Sequence, residues 1–335
     1  MIFLEIIVVL IVGFLVYKFI LMPSFSTKKF DFNNIPKEFE ELFIKFNEFD
    51  FSKINSSKKS LITYSIVAII CLIAFLFTFI FTYLNSYAMS FSLIPLIILI
   101  IAVVMFLFEY KKFKLLYNDV ISKFIKLIDT NLNYNNTSFN REKEFYEKAE
   151  FDNQKLNTFL AKDTINGISK DNYKFYISNI STTTTSDNGF NGLFSTVILD
   201  KTIQSYTKIN TENIEYSTSY TLGKTNSHLE YIEMDNSNFN KVLHVYSSNR
   251  LKSTEILTSD ILDYLYNFYD KYHVNFQIVF TGKYVYSRFF ITQLFTPSFI
   301  GNLFNKNNFA LCYVIINFML DIISKLSNNM SNFEE

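Results

Sequence analysis

The side chains best suited to metal or acid–base chemistry are few and widely separated in this sequence. Its three histidines are His228, His244 and His273, and none lies within four residues of another. A helical zinc site needs two histidines three to five residues apart. His228-Leu229-Glu230 matches the first part of a zinc-deaminase signature, but no Pro-Cys-x-x-Cys follows it. We therefore expect structural or surface roles for the three histidines.

The acidic and thiol side chains indicate a functional site no more strongly than the histidines do. Glu230, Glu233 and Asp235 form a small cluster that could hold a divalent cation. A solvated edge is the simpler interpretation of this cluster. Cys71 and Cys312 both lie in apolar runs, where cysteine behaves as a small buried hydrophobe. Two cysteines so far apart form neither a disulfide framework nor a metal site.

The spacing of glycine and serine indicates no nucleophile and no phosphate-binding loop. The seven glycines are scattered, and they form neither a Gly-x-x-x-x-Gly-Lys nor a Gly-x-Ser-x-Gly motif. Ser195 follows Gly192-Leu193-Phe194, which is the wrong spacing for a nucleophile elbow. The hydroxyl-rich run 181–186 is typical of a connection between a strand and a turn. The sequence thus predicts no catalytic, cofactor-binding or metal-binding residue, and no cofactor.

Composition excludes a nucleic-acid-binding role. The 335 residues, enough for about two domains, carry 31 basic and 31 acidic side chains. Residues 110–335 are balanced as well, with 23 of each sign. A nucleic-acid partner normally requires a net basic surface. Nearly all the basic residues are lysines, since arginine occurs only at positions 141, 250 and 288.

The longest uncharged stretch predicts a membrane hairpin. No charged residue occurs in the 49 residues from Ser60 to Phe108. As one helix this stretch would be about 74 Å long, against a hydrocarbon core of about 30 Å. The polar interruption 85–90 is the only credible turn. We therefore expect one spanning helix near 61–83 and another near 92–108.

Residues 2–21 form a further apolar run that can span a bilayer. Glu5 and Lys18 lie near its two ends and can reach the interface. A cleaved signal peptide is the alternative, but that would need a positive start and an Ala-x-Ala-like cleavage site. The sequence shows neither feature. An uncleaved first span is the preferred interpretation, and cleavage stays open.

The placement of lysines predicts the orientation of these spans. Lysines flank the loop after the first span and follow the last span, whereas the loop at 85–90 has no charge. The positive-inside rule then places the first loop and the C-terminal part in the cytoplasm. The first loop contains an amphipathic helix starting near Pro36, with Phe39, Leu42, Phe43 and Phe46 on one face. Its polar face is acidic, which favours packing on protein over binding to anionic lipid.

The remainder of the chain predicts an α+β domain with a mainly antiparallel sheet and flanking helices. The last membrane helix should continue to about Asp129, and a short helical pattern surrounds 142–155. From about residue 161 the pattern changes to short strands in which apolar and polar residues alternate. Helices are expected at 260–272 and 307–326. The predicted strands and hairpin include Tyr173–Ile177, Leu193–Leu199, Thr202–Ile209, Lys241–Tyr246, and a hairpin of Val274–Phe280 with Tyr284–Ile291 around Thr281-Gly282-Lys283.

An ordered set of short motifs resembles one bacterial membrane family. The motifs are Asp163–Gly167, Phe190–Phe194, Val245–Asn249 before Leu257-Thr258, and the 280–286 hairpin before Leu294–Pro297. Their order resembles the family defined by a domain of unknown function, number 3137, over about residues 110–300 and the two preceding helices. The resemblance implies two membrane helices and a cytoplasmic α+β domain of uncharacterised role, and it supplies no catalytic residues. This chain departs from the pattern by its additional first span and by Ser253-Thr254, where the family would have Ala-Arg.

These observations predict the following organisation. Residues 1–22 form a first transmembrane helix, 23–60 a cytoplasmic loop with an amphipathic helix, and 61–109 a transmembrane hairpin. A helical stalk and linker at 110–160 precedes a cytoplasmic α+β domain at 161–335. The predicted location is the bacterial inner (plasma) membrane, with multiple passes.

The predicted function is a non-enzymatic protein-interaction or membrane-complex scaffold. Its partners would be the lipid bilayer and another membrane or cytoplasmic protein, and not nucleic acid. The alternative is a membrane-tethered enzyme or small-ligand sensor with an aromatic-lined pocket. An enzyme is the less favoured class, and transport is weaker still because the spans contain scarcely a polar residue.

Overall fold

The computed structural model describes residues 34–84, 93–136, 140–151, 155–184, 189–211, 219–221, 228–235, 237–291, 294–295, 297 and 302–330. The first predicted span and the turn at 85–90 lie outside the described residues. The described chain divides into two compact units. One contains the described residues within 47–120 and 296–305, and the other those within 34–46, 121–295 and 306–330.

Two long apolar helices form the predicted membrane hairpin. Helix α2 is Ser52–Leu84 and helix α3 is Leu93–Ile128, and both are long and apolar enough to cross a bilayer. They pack through Ala68 of α2 against Leu99 and Ala102 of α3. Alanines at this contact allow the two backbones to approach closely, which is how membrane helices gain packing energy. The structure therefore confirms two long apolar helices and the continuation of the second one beyond residue 108.

The amphipathic helix of the first loop is α1, Lys37–Asn47. Its buried face packs on the last helix, α8 (Lys306–Met330). The ring of Phe46 lies 5.0 Å from that of Phe309, and Phe39 lies 5.7 Å from Tyr313. Glu40 adds a surface ion pair with Lys306 at 2.6 Å. The preference for packing on protein is confirmed.

The described sheet has eight strands, and every pairing in it is antiparallel. The strand order is β1-β2-β3-β4-β7-β6-β5, and β8 pairs with β4. This arrangement confirms the α+β class with a mainly antiparallel sheet. The strands are β1 Asn133–Asn135, β2 Leu156–Ile168, β3 Lys174–Thr184, β4 Asn191–Asn210, β5 Ser219–Thr221, β6 His228–Ile232, β7 His244–Ser247 and β8 Phe276–Phe289.

Helices flank this sheet on both faces. The remaining described helices are α4 Asn140–Ala149, α5 Ser237–Val242, α6 Arg250–Ile256 and α7 Ser259–Tyr272. The helices expected at 260–272 and 307–326 correspond to α7 and α8. The pattern around 142–155 gives a shorter helix than expected. Helix α4 stops at Ala149, because Glu150 adopts a positive φ of 47° that no α-helix can contain.

Strand β8 reverses direction around Gly282, whose φ is +54°. Its two ends lie side by side, since the Phe290 N–H donates to the Asn275 carbonyl at 3.0 Å. The rings of Phe276 and Phe289 are also only 6.3 Å apart. The reversal is the hairpin that the sequence predicted, although the extended backbone continues through it. Glycine supports it because positive φ costs a residue without Cβ very little.

Strand β4 follows β8 around this bend. Its first half pairs with β3 on one edge and with β8 residues 284–289 on the other. Its second half pairs with β7 and with β8 residues 277–280. The two predicted strands at 193–199 and 202–209 are therefore one irregular strand with register shifts between Ile198 and Thr207. Gly192 permits the first half of β4 to lie close to β8, because a Cβ there would lie 2.3 Å from the Phe289 carbonyl oxygen.

The predicted strand at 241–246 is wrong in its first half. Residues up to Val242 belong to α5, and β7 begins at His244. The Asn240 side chain both accepts from the Met234 N–H and donates to the Met234 carbonyl. These side-chain bonds satisfy backbone groups locally and support a helical turn instead of an extended strand. Alternation of residue types could not reveal this arrangement.

Opposite faces of the sheet contact different helices. Helix α8 covers one face, where Phe318 lies within 6 Å of the rings of Phe276 and Phe289. Helix α4 covers the other, where Tyr146 lies 5.3 Å from Phe194. We call this second side the aromatic face. Its core members are Phe145, Tyr146, Ala149, Phe151, Ala161, Ile180, Phe190, Phe194, Tyr206, Leu229, Tyr246, Val279 and Tyr286.

Candidate functional site

The three histidines occupy separate positions in the fold. His228 begins β6 and His244 begins β7. His273 ends α7 in a left-handed conformation with a φ of 51°, and its N–H bonds to the Tyr269 carbonyl. Within the described part of the chain, no group of three or more His, Cys, Asp or Glu side chains could hold a metal ion.

Ser195 and the acidic cluster have simple structural environments. Ser195 is buried, and its hydroxyl donates to the Met319 sulfur at 3.4 Å. Glu230 lies on β6 opposite Ser219 and Ser247, whereas Glu233 follows the end of that strand. Asp235 lies beyond that strand, and no three of the described acidic, histidine or cysteine side chains come together as a metal site.

A buried arginine is the most unusual group in the described sheet. Arg288 lies on the aromatic face, where its Nη1 donates to the Tyr146 hydroxyl at 3.0 Å and its Nε donates to Gln277. Its guanidinium carbon is 4.9, 5.1 and 5.3 Å from the ring centres of Phe151, Phe190 and Phe290. Aromatic rings attract a desolvated cation through their quadrupoles, so the three rings offset part of the cost of burying this charge.

The buried Lys208 lies on the same face. Its Nζ donates to the Phe151 carbonyl at 2.9 Å, and the neighbouring Tyr206 hydroxyl donates to the Ala149 carbonyl at 2.7 Å. Both bonds tie the backbone at the end of α4 to β4. The cationic groups therefore hold the covering segment in place, which is a structural task.

Next to these cations lie polar atoms that have no hydrogen-bond partner among the described residues. Asn210 and Gln277 stand opposite each other on β4 and β8, and both are completely buried. Both amide atoms of Asn210 and the Gln277 Nε2 lack partners, as does the Tyr286 hydroxyl. Burial also raises the pKa of Tyr286. Such groups normally bind water or a ligand, because each unpaired one costs about 1–3 kcal/mol.

The margin of the sheet offers a different kind of surface. Strand β1 covers β2 only at residues 164–166, while β3 pairs with the other edge of β2 along almost its whole length. Among the described residues no strand pairs with the outer edge of β2 from Leu156 to Lys162. We call residues 156–162 the open edge. Its backbone groups form a template to which an extended segment can add.

Side chains of the open edge alternate between a covered and an uncovered side. Phe159 packs 6.0 Å from Tyr146 on the aromatic face. Its neighbour Leu160 therefore points to the opposite side, where it is 71% exposed. Thr158, on the same side, bonds to Thr183 of β3 at 2.7 Å. The open edge thus combines unpaired backbone with one large exposed apolar side chain.

Sequence reasoning missed both Arg288 and the open edge. Arg288 stands in an alternating strand, where a charged residue predicts an exposed position. Its rarity was the only available signal, as one of three arginines among 31 basic residues. Leu160 belongs to a pattern that predicts a strand but not which of its edges stays unpaired.

Comparison with known families identifies one domain in the chain. A family model described as "Protein of unknown function (DUF3137)" matches residues 188–328. The chain therefore carries this domain, which the resemblance of the ordered motifs indicated. The match begins later than the expected 110–300 and extends through most of α8. No curated protein matches the chain.

One solved structure shows a distant similarity to the chain. It is described as the crystal structure of the mycobacterial trehalose monomycolate transport factor A, TtfA. The two are 9% identical with a TM-score of 0.33, and the similarity covers 57% of this chain and 86% of the other. A similarity this distant carries no argument about function or fold.

Proposed function

We propose that this chain, which carries a DUF3137 domain, is a non-enzymatic interaction protein of a bacterial plasma membrane. The hairpin of α2 and α3 anchors it, and its C-terminal domain lies in the cytoplasm and binds another protein. The lysines at one end of the hairpin support this orientation. The proposed domain organisation is the one that the sequence predicts.

The open edge is the observation that carries the proposed binding activity. An extended segment of a partner can pair with the backbone of 156–162 and continue the sheet. Main-chain bonds would supply affinity, and pockets for alternate side chains would supply specificity. Leu160 selects an apolar side chain on the uncovered side of the sheet.

Lys162 defines the electrostatic part of this recognition. It is exposed, and it stands at the end of the open edge nearest to β1. Lysine on an edge strand discourages pairing with unrelated strands, including a second copy carrying the same charge. A partner segment with an acidic residue at this point would offset that repulsion. We therefore expect an extended partner segment that is apolar in the middle and acidic near one end.

Photo-crosslinking in native membranes tests this proposal. A photoreactive amino acid replaces Leu160 in the full chain, and a matched control replaces Leu251, which is 76% exposed on α6. We expect one discrete adduct from position 160 and none from position 251. Mass spectrometry of the adduct should place the crosslink in an extended segment of another protein.

Three results would overturn the proposal. They are no discrete adduct at position 160, the same adducts at both positions, or an adduct to a second copy of this chain. Leu160→Asp should also abolish the interaction without unfolding the domain, since this side chain is exposed. The orientation has a separate test. A reporter fused after Glu335 should be active only in the cytoplasm.

The aromatic face supports a second candidate, a small-ligand sensor. Its supporting observation is the set of unpaired polar atoms on Asn210, Gln277 and Tyr286. Native mass spectrometry of the purified full chain should then detect a bound small molecule that is lost in the Asn210→Leu, Gln277→Leu double variant. A mass equal to that of the chain alone would argue against a sensor.

A further inference from the structure

One end of the membrane hairpin carries a concentrated positive charge. Between Lys53 and Lys114 the chain has six lysines and a single acidic residue, Glu109. The lysines lie on the first turns of α2 and beyond the uncharged part of α3. We call them the lysine collar, and they are Lys53, Lys58, Lys59, Lys111, Lys112 and Lys114.

The packing of the hairpin brings the two groups of lysines to the same end. Helices α2 and α3 touch at Ala68 and Ala102. A parallel arrangement would require residues 85–92 to return about 37 Å along the axis, more than their reach of about 32 Å. The helices are therefore antiparallel. Lys59 and Lys111 each lie nine residues from the contact, or about 13 Å along the axis, in the same direction.

Charge placement puts these lysines at the lipid headgroups. The uncharged stretch Ser60–Phe108 is bounded by Lys59 on α2 and by Glu109 and Lys111 on α3. Lysines at the end of an apolar span lie in the interface, where their stems stay apolar and their ammonium groups reach the headgroups. Phe108 and Leu115, which share a helical face with Lys111, are 66% and 71% exposed. Exposed apolar residues on both sides of Lys111 are typical of a helix in this zone.

We propose that the lysine collar binds the phosphate headgroups of anionic phospholipids such as phosphatidylglycerol. Glu109 forms an ion pair with Lys112 at 3.1 Å. Lysines 53, 59, 111, 112 and 114 are all exposed. Anionic lipids attract juxtamembrane lysines by about 1 kcal/mol each near the surface, and salt weakens the attraction. The same ammonium groups could bind free phosphate, so the test separates the two sources.

The chain contains no tryptophan, so a single introduced one reports on its own surroundings. Leu115→Trp places the reporter beside the lysine collar, and Phe77→Trp places a control on α2 at a lipid-exposed position away from it. Each full-length variant is reconstituted into phosphatidylcholine vesicles containing a fixed fraction of brominated lipid. Bromine quenches tryptophan only on contact. The brominated lipid is either phosphatidylglycerol or phosphatidylcholine.

We expect brominated phosphatidylglycerol to bind beside the Leu115→Trp reporter at least threefold more strongly than phosphatidylcholine. The Phe77→Trp control should show no preference. Replacing Lys111, Lys112 and Lys114 by glutamine should bring the ratio at the Leu115→Trp reporter close to one, with helix content unchanged by circular dichroism. Molar sodium chloride should lower the ratio as well.

Two outcomes would overturn the proposal. Equal quenching by both lipids at the Leu115→Trp reporter would show that the lysine collar does not select anionic headgroups. Loss of the preference on adding inorganic phosphate at constant ionic strength would identify free phosphate as the ligand. Neither outcome bears on the open edge, because the reporters and the substituted lysines all lie on α2 and α3.

Discussion

Helices α3 and α8 are both long and apolar enough to cross a bilayer, yet they have opposite surroundings. In the most apolar window of α8, 67% of the residues are buried within the protein, whereas in α3 the share is 17%. Rings from the sheet and from α7 surround Phe318 of α8. Val104 and Phe108 of α3, in contrast, are exposed to the surroundings. Length and hydropathy therefore do not distinguish a helix that the protein covers from one whose apolar side chains stay exposed, but the packing partners do.

Truncation of a large ring should show most clearly that α8 and α3 differ in packing. Phe318→Ala removes a ring centred 3.8 Å from that of Phe268, and we expect a loss of about 3–5 kcal/mol of unfolding free energy. Phe108→Ala, its control on α3, removes a ring that is 66% exposed and should cost far less. Denaturant unfolding of the detergent-solubilised full chain measures both. Equal losses would show that the two helices do not differ in packing.

A smaller effect is expected from enlarging a residue at the hairpin contact. Ala102→Leu adds three carbons where α2 and α3 approach, and overpacking of this kind costs about 1–3 kcal/mol. Val104→Leu makes a smaller change at an exposed position on the same helix and is the control. Crosslinking between cysteines placed on α2 and α3 should lose efficiency only in the Ala102→Leu variant. No change in either variant would argue against the Ala68–Ala102 contact.

Within the domain, the Phe46 ring of α1 and the Glu40 ion pair of the same helix should contribute unequally to the free energy of unfolding. Phe46 is fully buried against Phe309, so Phe46→Ala should release α1 and cost about 3 kcal/mol. Glu40→Ala removes only a surface pair with Lys306, which is worth at most about 1 kcal/mol. Hydrogen exchange across residues 37–46 distinguishes the two variants. A larger increase in exchange for Glu40→Ala would contradict this account.

The smallest effect is a pH dependence confined to the domain. Partial burial lowers the pKa of His244 below its ordinary value, so the unfolded chain accepts this proton more readily than the folded one. Stability should therefore fall as pH drops below about 6.5, by less than about 1 kcal/mol because the ring is only partly buried. His244→Gln should flatten this part of the profile. The uncharged stretch 60–108 contains no histidine, so hairpin packing should not respond.

The parts of the fold that the sequence predicted are those set by nearby residues. Helix α7 was predicted at 260–272, and its buried residues Ile261, Leu265 and Phe268 share one face. The reversal at Gly282 followed from a glycine between two alternating runs. Pairings between distant segments could not be predicted in this way. Leu193 lies opposite Phe289, nearly one hundred residues later, and no local pattern specifies that register.

The candidate sites depended even more on such distant pairings. Arg288 is buried because Phe151, just after α4, and Phe190, just before β4, lie over it together with the nearby Phe290. Asn210 and Gln277 meet only because β4 and β8 pair. The open edge exists because β1 is three residues long and covers only one end of β2.

The sequence by itself determined the two long apolar helices, because 49 uncharged residues exceed the length of one membrane span. It also determined the positions of the six lysines, whereas the packing of Ala68 against Ala102 brings the two groups to one end. Only the tertiary structure decided that α8 is covered by the sheet and α7, and that no strand of the described part of the chain pairs with the outer edge of β2 at 156–162. The physical reason is that hydrophobicity is local to each side chain, whereas burial and strand pairing depend on which distant segments pack together.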